Sequence, residues 1–271
     1  MNELIINGTT YAIPSDRTKL SPRGLKLFGK LMEKNISPIN THKLMFFVLT
    51  SDLNIFKRVR LWFWFLFQAS TIERGDCLFL VQEFMEAPVT AIPPFKKISC
   101  SFVLLFPPTE RMKNSTLWEF IQAESFFFQF LKTKNPEALD MLVAVLYRPK
   151  RKNFNIRKDE DIREDLTDAG INWIMARVKK MPHYQKILIL QFFDASRMNI
   201  IETFKEVFPK KEASEEKNPF QSKKASSSAW IPLMSNLAGS MIHFKEIGQT
   251  NLYIALTDIR EKIRKNQSQA K

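Results

Sequence analysis

Glycine, cysteine and histidine are scarce in this chain of 271 residues, which contains seven, two and three of them. Seven glycines leave little scope for a glycine-rich phosphate-binding loop, and no such motif is present. His42, His183 and His243 are far apart in the sequence and form no ligand-spaced cluster, so we expect no bound metal and no cofactor. Without histidine partners nearby, Cys77 and Cys100 are expected to be buried free thiols.

Long apolar runs are also missing. The densest run is Leu61 to Phe67, seven residues long, whereas a helix needs about 20 to span a bilayer. A second run, 102–106, stops at Pro107-Pro108. The first residues, MNELIING, include an acid and no basic region, unlike a secretory signal. We therefore expect no membrane span and a location in the cytoplasm.

The motifs of common catalytic sites are absent, since neither a nucleophile elbow nor a His-Glu metalloprotease motif occurs. The acidic residues of 159–165 could bind a divalent cation, but Arg157, Lys158 and Arg163 lie among them and would oppose it. We therefore expect 159–165 to form an exposed charged face. We expect a protein that is not an enzyme. Catalytic groups distant in sequence can still converge, so an enzyme is kept as the least favoured alternative.

Positive charge is abundant but spread along the chain. The net charge is +13, with 13 basic against 9 acidic residues in 1–110, 17 against 13 in 111–209, and 11 against 6 in 210–271. Proteins that bind nucleic acid usually concentrate their cations on one face or helix. Nucleic-acid binding is therefore a less favoured alternative to a charged surface or an acidic protein partner.

Local signals predict a β-hairpin followed by helices. Asn7-Gly8 lies between two β-prone segments within 3–13 and suits a tight hairpin turn. Ser21-Pro22 and Ser37-Pro38 each resemble a helix N-cap followed by a first-turn proline. Aromatic runs interrupted by prolines in 52–110 indicate short helices or strands joined by extended loops.

The second half reads as mainly helical. Thr116 and Glu119 fit a capping box at the start of a helix over 117–133. Asn135-Pro136 opens another helix, which Pro149 must end because proline disfavours helical geometry at the residue before it. Later apolar patterns predict helices over 172–182, 183–208, 230–241 and 252–263.

These elements predict a mainly α fold with an N-terminal β-hairpin and a C-terminal helical pair after a flexible linker. The linker is 210–228, which is rich in Lys, Glu and Ser and lacks apolar periodicity. The predicted divisions are 1–110, hairpin plus helices; 111–209, a central helical domain; 210–228, the linker; and 229–271, the helical pair.

Several segments together resemble a known group of proteins. They are INGTTYAIP, LSPRGLKLFGKLM, TLWEFIQAESFFFQFLKT, LDMLVAVLYRPK with the following DIRED, and FFDASRMNIIETFKEVFP. In this order they resemble poorly characterised proteins encoded in the tail-gene clusters of tailed phages and prophages, where tail assembly chaperones are expected. The chain departs from that pattern at Asp165-Leu166, where an aromatic is expected, and in its long charged linker.

The resemblance implies a non-enzymatic, chaperone-like tail assembly protein that shields or docks an apolar helical partner, such as the tape-measure protein. Its location would be the host cytoplasm, with the virion tail as the alternative. A structural adaptor of the tail or neck and a basic nucleic-acid-binding protein remain alternatives. The residues predicted to bind the partner are Phe126, Phe127, Phe130, Tyr147, Arg148, Leu252, Leu256 and Ile259. Ordinary core packing is the competing interpretation for the phenylalanines and the 252–259 stripe, and a helix stop signal is the competing interpretation for Tyr147 and Arg148.

Tyr147 and Arg148 raise a separate question, because Pro149 alone is enough to stop the helix. They are predicted to dock either the charged loop that follows or a partner. We expect Arg148 to pair with an acid of the 159–165 run and so fix that loop on the end of the helix.

Overall fold

The computed structural model describes residues 2–6, 8–34, 38–155, 161–208 and 244–269. The fold is mainly α, as predicted, with ten α-helices in these ranges. The helices are α1 Pro22–Met32, α2 Pro38–Leu49, α3 Ile55–Phe63, α4 Thr71–Glu86, α5 Leu117–Thr133, α6 Pro136–Leu146, α7 Asp168–Val178, α8 His183–Thr203, α9 Phe244–Gln249 and α10 Leu252–Gln269. The strands are β1 Asn2–Ile6, β2 Thr9–Ile13, β3 Ile98–Cys100, β4 Val103–Phe106 and β5 Arg148–Pro149.

Two predicted helix starts are confirmed by single hydrogen bonds, whereas the helix predicted over 172–182 runs from Asp168 to Val178. The Ser21 hydroxyl accepts from the backbone N–H of Gly24, and the Asn135 side chain accepts from that of Glu137. Each satisfies a donor that the first turn of a helix leaves free. Ser37 lies outside the described residues, and α2 starts at Pro38 beside it.

The predicted end of α6 is also confirmed. The last helical residue is Leu146, and Tyr147 follows in an extended conformation. Arg148 and Pro149 form β5, which extends the antiparallel β3–β4 pair into a three-stranded sheet. The segment that stops the helix therefore also completes a sheet.

Two hairpins differ in their turn chemistry. In β1–β2, Gly8 has φ +72°, the left-handed geometry that the predicted turn requires, while Asn7 lies outside the described residues. In β3–β4, Cys100 pairs with Val103, so the turn consists of Ser101 and Phe102 at φ +48° and +66°. Neither residue favours this geometry, and the Phe102 side chain is fully exposed.

The described structure divides into two compact units. One unit comprises Met1–Thr90 with Pro182–Gln191, and the other comprises Ala91–Met181 with Phe192–Lys271. Strands β3 and β4 belong to the second unit, where β3 pairs with β4 and β4 pairs with β5. Helix α8 contributes residues to both units, which its uninterrupted helical pattern could not reveal.

In the first unit, α1 and α4 pack on α2. Phe28 meets Phe84 edge-on at a centroid distance of 6.0 Å. Gly29 allows a close approach to the α8 residues of this unit, since a Cβ there would lie 3.1 Å from Tyr184 and 3.2 Å from Leu188. Close helix packing explains the glycine in the middle of α1.

In the second unit, α6 packs between α5 and α7. Its buried side chains include Leu139, Leu142, Val143 and Leu146. Phe193 joins this core, with ring centroids 5.9 Å from Phe120 and 5.4 Å from Phe127. The cysteines are buried free thiols, as predicted, and burial raises the pKa of Cys77 to about 12.

The C-terminal prediction is only partly covered by the structure. The linker 210–228 and the helix predicted over 230–241 lie outside the described residues. The helix predicted over 252–263 is present as α10, which continues to Gln269, and the short helix α9 precedes it.

Candidate functional site

The phenylalanines predicted to bind a partner lie largely inside the second unit. Phe127 and Phe130 on α5 are buried, and Phe126 is half-buried. Phe127 packs against Phe128 and Phe193 at centroid distances of 5.4 Å. This stripe therefore packs against the protein itself, and ordinary core packing describes its state in this conformation.

The predicted stripe on α10 is buried as well. Leu252, Leu256 and Ile259 are each at most 4% exposed. The backbone N–H of Leu252 donates to the Ser115 carbonyl at 2.9 Å, and that of Leu117 donates to the Thr250 carbonyl at 3.0 Å. Helix α10 thus docks on α5 within its own unit, through both side chains and backbone.

Tyr147 is fully buried in the second unit. Its hydroxyl donates to the backbone carbonyl of Phe95 at 3.2 Å, and burial raises the pKa of the phenol well above its usual range. A fixed, neutral hydroxyl that already has a partner is a packing element. It joins the end of α6 to the loop before β3.

Arg148 belongs to a buried cluster of two arginines and two carboxylates. Its Nη2 donates to Glu119 Oε1 at 2.5 Å and lies 3.5 Å from Asp161 Oδ2. Nη2 of Arg163 donates to Glu119 Oε2 at 2.9 Å and to Asp161 Oδ2 at 2.7 Å. The predicted pairing of Arg148 with an acid of 159–165 is therefore confirmed, and its shorter contact goes to Glu119.

The two guanidinium groups sit in different electrostatic surroundings. Burial lowers the pKa of Arg148, and repulsion from Arg163 adds to this effect. Burial also acts against charged Arg163, but the carboxylates of Glu119 and Asp161 outweigh it and its pKa is raised. Arg163 is the better-compensated cation, and it also donates to the Leu146 carbonyl at 2.9 Å.

The cluster fixes the charged loop on the end of α6. Beside it, the Glu164 N–H donates to the Pro149 carbonyl at 2.9 Å, and the Arg151 N–H donates to the Ile162 carbonyl at 2.8 Å. The capping-box prediction is half right: Thr116 accepts from the Glu119 N–H at 3.2 Å, but the Glu119 carboxylate turns inward to the two arginines. With Arg148 1% exposed and Arg163 fully buried, neither guanidinium group is accessible to a substrate.

The exposed apolar surface lies in the first unit, on α3 and the turn that follows it. Six large apolar side chains there are between 50% and 82% exposed. We call these six the α3 face: Ile55, Phe56, Val59, Phe63, Leu66 and Phe67. Ile55, Phe56, Val59 and Phe63, together with Arg60, line a recess of about 590 Å³.

The opposite side of the same helix is apolar too. Leu61, Trp64 and Phe65 are buried, and Phe65 stacks on Phe46 at a centroid distance of 4.6 Å. The three cations of α3 lie between these two apolar sides. The α3 face is thus a second apolar side of a helix that is already packed, and it stays largely exposed among the described residues.

The helix continues past Phe63 with π-helical geometry over Trp64–Gln68. The Ala69 N–H donates to the Trp64 carbonyl five residues back, at 2.8 Å. Such wide turns are frequent at functional sites. Here Phe67 lies against Phe63 at a centroid distance of 5.2 Å, which extends the α3 face by one turn.

Three cations border the α3 face. Lys57 and Arg60 are exposed, and the half-buried Arg58 lies over the Trp62 ring at 5.0 Å. Trp62 is itself held, because its Nε1 donates to Thr50 Oγ1 at 2.9 Å and its ring meets Phe47 edge-on at 4.5 Å. No carboxylate among the described residues forms an ion pair with any of the three cations.

Sequence reasoning considered the 61–67 run only as a membrane segment and did not predict this surface. A usable signal was present, since residues 53–72 contain three cations and not one acid. In the described ranges no helix is long and apolar enough to cross a membrane. The same ranges hold no group of three or more His, Cys, Asp or Glu side chains placed to bind a metal.

Comparisons with known proteins returned nothing: no family model, no curated protein and no solved structure matches this chain.

Proposed function

We propose that the protein is a non-enzymatic, chaperone-like phage tail assembly protein that docks an apolar helical partner such as the tape-measure protein. The resemblance of its segments to proteins of tail-gene clusters supports the setting. The observation that carries the proposal is the α3 face, six exposed apolar side chains on a helix whose other side is already packed.

The mechanism is the docking of one helix along another. A partner helix lying along α3 would insert its apolar side chains between Ile55, Phe56, Val59 and Phe63, with anchors spaced at i, i+3, i+4 and i+7. Contiguous exposed apolar surfaces are the usual signature of such contacts. The residues that act are those of the α3 face, and the buried aromatic stripe of α5 holds the scaffold of the second unit.

The estimated free energy of binding at the α3 face is consistent with reversible binding. Covering the remaining exposed surface of each of the six side chains is worth about 1–2 kcal/mol. Association costs about 4–15 kcal/mol in lost freedom of motion. The net affinity of the α3 face alone is therefore modest, as expected for a protein that holds its partner and releases it when the tail tube polymerises.

Co-expression tests the proposal. The chain is produced together with a tape-measure protein from the same phage or prophage, and the soluble fraction of the tape-measure protein is measured. Ile55→Asp should lower that fraction several-fold, because its carboxylate would lie within the apolar contact without a partner. Ile254→Asp on α10 is the matched control, since Ile254 is 59% exposed and Ile55 is 60% exposed.

Equal loss of solubility with both variants, or no effect of the native chain, would contradict the proposal. Purified virus particles separate the chaperone from a structural adaptor. A chaperone should be absent from mature particles, whereas an adaptor would be present at a fixed ratio to other tail proteins.

A further inference from the structure

The cations beside the α3 face point to the chemistry of the partner. At 3.6 residues per turn, Arg60 lies about 40° beyond Phe56 around α3, and Lys57 lies about 60° beyond Arg60. Arg58 lies about 60° beyond Ile55, on the other edge. Positive charge therefore borders the apolar face on both sides.

These three cations form no ion pair within the described structure. Lys57, Arg58 and Arg60 have no carboxylate partner there, and no acidic residue occurs between Asp52 and Glu73. Some other exposed cations do pair with acids, for example Lys179 with Glu137 at 3.3 Å and Arg264 with Glu206 at 2.6 Å. The border of the α3 face is thus a site of uncompensated positive charge.

We infer that the α3 face binds an amphipathic helix whose apolar stripe is flanked by Asp or Glu residues. This inference rests on the proposed function and names the partner's chemistry. The apolar stripe packs on Ile55, Phe56, Val59 and Phe63. The flanking carboxylates pair with Lys57 and Arg60 on one edge and with Arg58 on the other, as charges flanking a coiled-coil seam select partner helices.

A second copy of this chain fits the surface poorly. In a symmetric pair the same patch meets itself, so Lys57, Arg58 and Arg60 would face the same three cations of the other copy. The segment 53–72 offers no acid to relieve that repulsion.

A lipid surface fits less well than a helix. Helices that lie in a membrane interface place tryptophan outward, where the ring can sit at the headgroup level. Here both tryptophans of the segment are turned toward the protein, with Trp64 buried and Trp62 bonded to Thr50. The outward side chains are those that pack well against another helix.

Two designed peptides test the inference with the full-length protein. Each is an 18-residue amphipathic helix with Leu at i, i+3, i+4 and i+7, flanked by Glu in one peptide and by Lys in the other. The Kd values are measured by fluorescence anisotropy at low and at high salt. The Glu-flanked peptide should bind at least about tenfold more tightly than the Lys-flanked one at low salt, and the difference should shrink at high salt.

Charge reversal provides the matched control. Lys57→Glu/Arg60→Glu should invert the preference between the two peptides, since the border becomes acidic. Arg23→Glu/Lys26→Glu on α1 reverses two exposed cations at the same i, i+3 spacing and should leave the preference unchanged. Because all four positions are exposed, circular dichroism should show the same folded state for each variant.

The outcomes separate this inference from the proposed function. Equal binding of both peptides, abolished by Ile55→Asp, would overturn the acidic flank and leave apolar docking intact. Binding to neither peptide, with binding to vesicles of mixed neutral and anionic lipid, would overturn both in favour of a membrane. Self-association of the free protein that Ile55→Asp disperses would overturn the inference in favour of a second copy.

Discussion

At the residue scale, the clearest departure from local reasoning is Glu119. Its spacing from Thr116 predicts a capping box, in which its carboxylate would bond the backbone at the start of α5. In the fold its oxygens accept from Arg148 and Arg163 at 2.5 and 2.9 Å. The partners lie 29 and 44 residues away, so no local pattern could reveal them.

The cluster makes a direct stability prediction. Replacing Glu119 with Gln removes one of two carboxylates that compensate two buried guanidinium groups, and an uncompensated buried charge costs about 3–5 kcal/mol. The free energy of unfolding, measured with urea, should fall by about that amount. Glu137→Gln, which breaks the exposed pair with Lys179, should change it by less than about 0.5 kcal/mol. Similar values for the two variants would contradict the role assigned to the cluster.

At the scale of elements, local sequence signals determine where helices begin and end, whereas tertiary packing determines which apolar stripes are buried. Helix starts at Ser21 and Asn135 and the end of α6 before Pro149 were predictable, because caps and prolines act within a few residues. The exposed state of the α3 face was not, since its residues are as apolar as those of the core. Whether such a stripe is covered depends on packing with elements that are distant in the sequence. The burial of Phe127 and Leu256 depends on such packing too.

The turn of the β3–β4 hairpin could not be predicted from local sequence either, and it yields a second prediction. Its turn places Phe102 at φ +66° with a fully exposed side chain. Glycine adopts this geometry without the steric cost of a Cβ, about 1–2 kcal/mol, so Phe102→Gly should raise the free energy of unfolding by about 1 kcal/mol despite the greater freedom of the unfolded chain.

Phe56→Gly supplies the contrast. It removes another exposed phenylalanine, this time from a helix, and should lower the free energy of unfolding by about 0.5 kcal/mol. Thermal unfolding followed by circular dichroism measures both changes. A decrease for Phe102→Gly would show that Phe102 contributes to folding in a way that its exposure does not reveal.

At the scale of the whole molecule, the sequence did not reveal where the cations lie in the fold or which segments form each compact unit. The net charge of +13 is spread along the chain so evenly that it favours no single function. Only the fold shows that three of the cations border the α3 face. The first compact unit is discontinuous, because residues 182–191 belong to it together with Met1–Thr90. A discontinuous unit of this kind leaves no mark in composition or periodicity.

The central claim is that the α3 face is where the partner binds, and site-specific photo-crosslinking tests it most directly. A photoreactive phenylalanine analogue replaces Phe56 in one protein and Phe102 in another, since both side chains are highly exposed. Each protein is co-expressed with the tape-measure protein and irradiated. We predict a crosslinked product from position 56 and none from position 102. A product from position 102 alone, or from neither position while the two proteins still co-purify, would contradict the account.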